Sequence, residues 1–128
     1  ARDTIEIKLI KHCIKNNLPI LGVCRGMQLL VEYFGGSLIK VSNHVGTEHK
    51  VDVCEPASYT FEVNSFHAFS PNPKDFPDCL KIIATSSDGQ IEAVRHVTLP
   101  VHGVMWHPER SSPAPQYDAD LLKKVLQL

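Results

Sequence analysis

Apolar residues recur along this chain with two different periods, and the switches between them mark its elements. From Asp3 to Asn16 the period is helical. Ile7, Ile10 and Ile14 share one face with Cys13 beside them, and Asn16-Asn17 and Pro19 close the segment. Ile20 to Val23 is a short continuous apolar run introduced by Pro19, the pattern of a strand buried on both faces inside a parallel sheet. Helical spacing returns at once: Met27, Leu30, Val31 and Phe34 form one stripe that Gly35-Gly36 stops. Strand and helix alternating in this way predict an α/β fold.

Further along, Leu38 to Val41 predicts another short strand. Lys50 to Cys54 alternates, Tyr59 to Val63 reads as extended, and a Pro-rich loop runs from Pro71 to Pro77. Leu80 to Thr85 is an apolar strand, and Asp88-Gly89 turns it into Gln90 to Arg95 as an antiparallel hairpin. Val101 to Trp106 predicts a last strand, running into His107-Pro-Glu109. After a Ser/Pro-rich loop, Ser111 to Pro115, the residues Tyr117, Leu121, Leu122, Val125 and Leu126 mark an amphipathic helix. No repeat or linker interrupts the pattern, so residues 1–128 read as a single domain. The chain opens at Ala1 directly in a helical pattern, from which we expect further strands upstream, the domain being N-terminally incomplete.

Composition narrows the function classes. The 128 residues carry a formal net charge of −1 with 43% hydrophobic and 21% charged residues, an ordinary globular balance that recommends neither nucleic acid nor an anionic membrane as partner. No apolar run reaches membrane-spanning length. Cys13, Cys24, Cys54 and Cys79 form no C-x-x-C pair and fit a reduced, cytoplasmic protein. His44 and His49 are separated by four residues in a polar loop, and His12, His67, His96 and His102 share no spacing. By linear spacing there is no metal site, and these read as loop and surface histidines.

The chemistry gathers around Cys24. It lies in Gly22-Val-Cys-Arg-Gly26, between a strand end and a helix start. A sharp strand-to-helix turn lifts its central side chain out of the sheet, a helix N-terminus favours a thiolate, and the Arg25 backbone N–H points where an oxyanion would form. Taken alone, Cys24 reads first as a buried core cysteine, since free cysteine is among the most buried residue types. A partner comes from the second strand end. Pro108 biases His107 to an extended conformation, so His107 and Glu109, two apart, share a face as base and orienting carboxylate. Gln28 lies one helical turn after Cys24, and Val63-Asn-Ser-Phe-His67 reads either as a pocket wall or as a capped loop.

These segments, in this order, resemble the class I glutamine amidotransferase family. The similarity rests on Gly22-Val-Cys-Arg-Gly-Met-Gln28, Gly35-Gly36, Val63-Asn-Ser-Phe-His67, Asp88-Gly-Gln-Ile-Glu-Ala93 and Gly103-Val-Met-Trp-His-Pro-Glu109. Arg25 after the cysteine, the Asn-Ser-Phe-His segment and the opening Arg2-Asp3-x-x-Glu6 are most similar to the γ-glutamyl hydrolase branch, peptidase family C26. The resemblance implies a three-layer, flavodoxin-like fold with a mostly parallel sheet, its first strands lying upstream. It implies a Cys24, His107, Glu109 triad that hydrolyses a small γ-glutamyl amide through a γ-glutamyl thioester, with no cofactor. Arg25 would supply an oxyanion donor, and Gln28, Ser65, Phe66 and His67 would contact substrate. The family's second oxyanion donor comes from a Gly-rich loop upstream of the nucleophile strand, and no such loop stands here before Gly22. Ala68 occupies the place of a second histidine in many hydrolases of that branch, which points to a different leaving group; with the Gly46-x-x-His49 loop it leans towards a nucleotide-linked amide. Two other readings remain: a glutaminase passing ammonia to a partner synthase, and a non-catalytic binding relative, against which the intact Cys24, His107 and Glu109 argue. The oligomeric state is not specified.

Overall fold

The computed structural model describes residues 2–42, 44–55, 58–108 and 116–126. Helix α1 (Arg2–Lys15) precedes strand β1 (Ile20–Val23), helix α2 (Arg25–Tyr33) and strand β2 (Leu38–Lys40). Strands β3 (Val45–Val53), β4 (Tyr59–Phe66) and β5 (Phe69–Pro71) follow, then a 3-10 turn at Pro73–Asp75, β6 (Leu80–Ser86), β7 (Ile91–His96), β8 (Val101–Val104) and helix α3 (Gln116–Leu126). The six-stranded main sheet has the order β1-β8-β7-β6-β3-β4, and β2 and β5 make a small antiparallel pair of their own.

The α/β class holds, but the sheet is mixed. Among the described residues only β1 and β8 run parallel, whereas β8–β7, β7–β6, β6–β3 and β3–β4 are antiparallel. The expectation of a mostly parallel sheet is corrected, and the loops explain why. The Asp88-Gly89 turn, where Gly89 takes φ 83°, is too short for anything but a hairpin, and so is the link from β7 to β8, whereas β1 and β8 are joined by a path long enough for a parallel crossover. Strand β1 pairs with β8 alone among the described strands, and Ile20, Leu21 and Val23 are half-buried.

Helices lie on both faces. On one face Ile10 of α1 and Leu29 and Leu30 of α2 pack on Val101, with Ile7, Ile14 and Ile20 around them. On the other, Leu121 and Val125 of α3 pack on Val51, Ile83, Ala93, Val104 and Trp106. Alternation along β8 sorts its side chains between the two faces. Helix α2 comes unusually close to the sheet. A Cβ on Gly22 would stand 2.7 Å from the Gly26 carbonyl carbon and from Leu30 Cδ1, and one on Gly103 would stand 2.8 Å from Met27 Cγ.

The end of β8 is tied to α3. The buried Trp106 indole donates to Asp118 Oδ1 at 2.8 Å, and Phe61 and Tyr117 pack around the ring. Asp118 is buried and its Oδ2 takes no hydrogen bond, so burial pushes its carboxyl above the ordinary aspartate range while the indole pulls it back in part.

Two stability predictions follow from this packing. Gly22→Ala meets backbone that cannot step aside and is expected to cost about 1–3 kcal/mol by urea denaturation. A raised Asp118 pKa means that the folded state binds the proton more tightly than the unfolded chain. Stability is therefore lost as pH rises from the ordinary aspartate range through the raised value. Asp118→Asn keeps an acceptor for the indole and is expected to remove this pH dependence, gaining on the wild type as pH rises, in denaturation curves recorded across that range.

Candidate active site

The closeness of α2 to β1 leaves a single residue, Cys24, to turn the chain from strand to helix. It does so at φ 52° and ψ −103°, a conformation that costs a non-glycine residue of the order of 1–3 kcal/mol. Both of its peptide groups are held: the Cys24 N–H donates to the Val104 carbonyl at 2.7 Å, and its carbonyl accepts from Gln28 N at 3.0 Å. The thiol is buried, with 9% of the residue exposed, at the N-terminus of α2. Arg25 is the first residue of that helix, so its N–H has no acceptor within the helix. Its side chain turns away. The guanidinium reaches both carboxylate oxygens of Asp3 on α1 at 2.6 Å, and that acid raises its pKa. Asp3 and Arg25, far apart in sequence, thus brace α1 against the start of α2.

His107 leaves the same edge of the sheet. β1 and β8 are in register from Ile20↔Val101 to Val23↔Val104, so both strands finish level, with Cys24 one residue beyond β1 and His107 three residues beyond β8. β8 ends sooner than the expected Trp106, because the chain bends there after Met105 N bonds to the Glu92 carbonyl at 2.8 Å. The half-buried His107 is then gripped by Asn64 of β4. Its N–H donates to Asn64 Oδ1 at 2.8 Å, and Asn64 Nδ2 donates to its carbonyl at 2.9 Å. Phe66 presents to the imidazole at a centroid distance of 5.8 Å and an angle of 76°. Glu109 lies outside the described residues.

The other expected site residues divide. Gln28 is buried and its Nε2 donates to the Phe69 carbonyl at 3.1 Å, linking α2 to β5. The Asn-Ser-Phe-His segment is split by strand alternation. Asn64 and Phe66 face His107. Ser65 and His67 are turned inward and buried, the Ser65 hydroxyl donating to the His44 carbonyl. Phe66 keeps 40% of its surface exposed and is the member of the segment open to solvent.

The inward residues join a cluster that spacing along the chain did not predict. His44 and His67 are each only 2% exposed, which corrects their reading as loop and surface histidines. His44 Nδ1 stands 3.2 Å from His67 Nε2, and both approach the fully buried Glu92 of β7. His49 Nε2 lies 3.0 Å from Glu92 Oε1, and His44 Nε2 lies 2.7 Å from Asp88 Oδ2. Burial works to raise the Asp88 carboxyl, but hydrogen bonds from Ser86 and His44 outweigh it and hold the group below its usual range. Asp118, His44, Asp88 and Glu92 were not read as site residues. For the Asn-Ser-Phe-His segment the signal was the two-residue alternation of β4, which sets 63, 65 and 67 on one face and 64 and 66 on the other.

Comparison with known proteins supplies the family. The glutamine amidotransferase class-I model matches residues 2–126. The chain is 33% identical over 111 residues to the γ-glutamyl-CDP-amidate hydrolase of Campylobacter jejuni, covering 87% of this chain and 52% of that protein. It is 32% identical over 111 residues to the aminodeoxychorismate/anthranilate synthase component 2 of Bacillus subtilis, covering 82% of this chain and 57% of that protein. A glutamine amidotransferase crystal structure from Thermotoga maritima shares the fold, with a TM-score of 0.71 at 20% identity, covering 97% of this chain and 52% of that one. The chain thus spans about half the length of the curated relatives it matches. No helix among the described residues is long and apolar enough to cross a membrane. With a strained cysteine between β1 and α2, a histidine beyond the parallel neighbour β8, and a family model matched from Arg2 to Leu126, the chain belongs to the class-I glutamine amidotransferases.

Proposed function

We propose that the protein of which these residues form part is a cysteine hydrolase that cleaves the γ-glutamyl amide bond of a small compound. The observation that carries this reading is the strained Cys24 at the head of α2, level with the strand end that leads to His107. The Cys24 sulfur attacks the γ-carbonyl carbon as His107 takes the thiol proton. The Arg25 N–H donates to the oxyanion that develops. Collapse expels the amine, which receives the proton from His107, and leaves a γ-glutamyl thioester. Water, deprotonated by His107, then hydrolyses the thioester, releasing glutamate and restoring the thiol. Glu109 orients the imidazole, and Gln28, Ser65, Phe66 and His67 line or support the glutamyl pocket.

Within the family, the Asp3–Arg25 pair favours the hydrolase branch, because it gives structural meaning to the two residues that mark it in sequence. The name of the Campylobacter relative adds a candidate leaving group, an amine joined to a nucleotide. A second reading, a glutaminase that feeds ammonia to a synthase, is favoured by the Bacillus relative, a synthase component. We place the protein in the cytoplasm, in keeping with four cysteines that form no disulfide with one another.

Two experiments test this reading. Wild type and Cys24→Ala are incubated with a panel of γ-glutamyl amides, including nucleotide-linked ones, and with glutamine. Glutamate release by the wild type alone, with a Cys24 adduct seen by mass spectrometry, is expected. Equal turnover by Cys24→Ala overturns the mechanism, and activity confined to glutamine that a partner stimulates selects the second reading. Asn64→Ala, which frees the His107 backbone, is expected to lower kcat by roughly 10²-fold with KM little changed, since misplacing a base by about 1 Å has that effect.

A further inference from the structure

The cluster beneath β4 presents a problem of hydrogen bookkeeping. The Phe69 carbonyl can only accept, so His67 Nδ1, 3.0 Å away, carries a proton. The Asp88 carboxylate likewise accepts from His44 Nε2 at 2.7 Å. In their neutral forms both rings therefore have their bare nitrogens, His44 Nδ1 and His67 Nε2, turned inward and 3.2 Å apart. The third group between them is Glu92 Oε2, 3.7 Å from the first nitrogen and 3.2 Å from the second, fully buried and taking no hydrogen bond. Three electron pairs converge with no donor among them. A proton on His67 Nε2 would be split between two of these contacts and leave Glu92 Oε2 and His44 Nδ1 facing each other. A cation answers all three.

We propose that His44 Nδ1, His67 Nε2 and Glu92 Oε2 bind a divalent transition-metal cation, zinc in the first instance. A tetrahedral zinc site with bonds of about 2.0–2.1 Å has ligand atoms about 3.3–3.4 Å apart. The separations here, 3.2, 3.2 and 3.7 Å, outline one face of such a tetrahedron and leave a fourth position open. Imidazole and carboxylate are the donor types that suit zinc and its neighbours. The surroundings are those of ligands held for a metal. Each ligating ring donates its other N–H, one to a carboxylate and one to a backbone carbonyl, which fixes the tautomer. His49 occupies Glu92 Oε1 and so points Oε2 at the two histidines. With neutral rings the cluster carries the two negative charges of Glu92 and Asp88, which a divalent ion balances. The ion would join the loop before β3 to β4 and β7, beneath the stretch that presents Asn64 and Phe66 to His107. Its binding is read separately from the reaction proposed for Cys24, which needs no metal.

The test uses the full-length protein, stripped with a chelator and titrated with Zn²⁺ or Co²⁺ against a chromophoric competitor. Uptake of about one equivalent per chain, a rise in Tm on loading, and the intense visible bands of tetrahedral Co²⁺ are expected. Glu92→Gln separates a metal from a proton. Its amide oxygen can still face His49 while its NH₂ donates to the bare ring nitrogens. The variant is expected to bind metal about 100-fold or more weakly, since disturbing even outer partners costs 10–100-fold, yet to melt no lower than the stripped wild type. No uptake by the wild type, with a Tm indifferent to metal and chelator, overturns the proposal, and so does undiminished binding by Glu92→Gln. If that variant does not fold, the wild-type Co²⁺ spectrum decides: tetrahedral bands support the site, and their absence refutes it. Loss of turnover in Cys24→Ala leaves every one of these readouts in place, so this inference and the proposed reaction fail separately.

Discussion

Helix α2 reaches the sheet only because Gly22 and Gly103 carry no side chains, and the candidate active site depends on that approach. With the helix axis pressed onto β1 and β8, the chain has one residue in which to turn from Val23 into Arg25, and Cys24 takes the strain at φ 52°. A longer, relaxed turn would let the thiol swing away from the strand ends. The same compression sets the first N–H groups of α2 beside the sulfur, where their partial positive charge favours an anion. The strain is sustained by bonds on either side, from Cys24 N to Val104 and from Gln28 N to Cys24, and by Asp3 gripping Arg25 from α1. Backbone strain of this kind persists only where the surroundings over-determine it.

The parts of this arrangement that come from local chemistry were legible in the sequence. The Ile20–Val23 run, the stripe from Met27 to Phe34 and the Asp88-Gly89 hairpin are each dictated by residues close together in the chain, and each stands where the pattern placed it. Sheet sense was less legible. An apolar run such as Ile20–Val23 signals burial without signalling which neighbours provide it, and the antiparallel majority followed from loop lengths rather than strand composition. β5 escaped because Phe69-Ser-Pro71 is three residues long and ends in proline, a composition that reads as loop. Its pairing with β2 is the product of tertiary contact.

The site shows the same division. Cys24 and His107 declare themselves through local turns. The residues that hold them do not. Asn64 clamps His107 from 43 positions away, and Asp118 anchors Trp106 through a helix packed on the opposite face. An asparagine in a strand and an aspartate in an amphipathic helix are ordinary in sequence, since nothing local distinguishes a solvated side chain from one whose partner is remote.

The histidine cluster takes this furthest. His44, His49, His67 and Glu92 come from the approach to β3, from β3, from the end of β4 and from β7, so no spacing rule could join them. Once folded, they occupy interior volume that apolar side chains could fill at less expense, because a buried carboxylate costs several kcal/mol unless it is paired. Serines and histidines fix nearly every other polar atom around it: Ser86 holds Asp88, Asp88 holds His44, Ser65 holds the His44 carbonyl, and His49 holds Glu92. A network completed at its periphery and left open at its centre is oriented towards something at that centre. Glu92 Oε2, which takes no hydrogen bond and faces His44 Nδ1 and His67 Nε2, marks that centre, and a single cation is the occupant we propose for it.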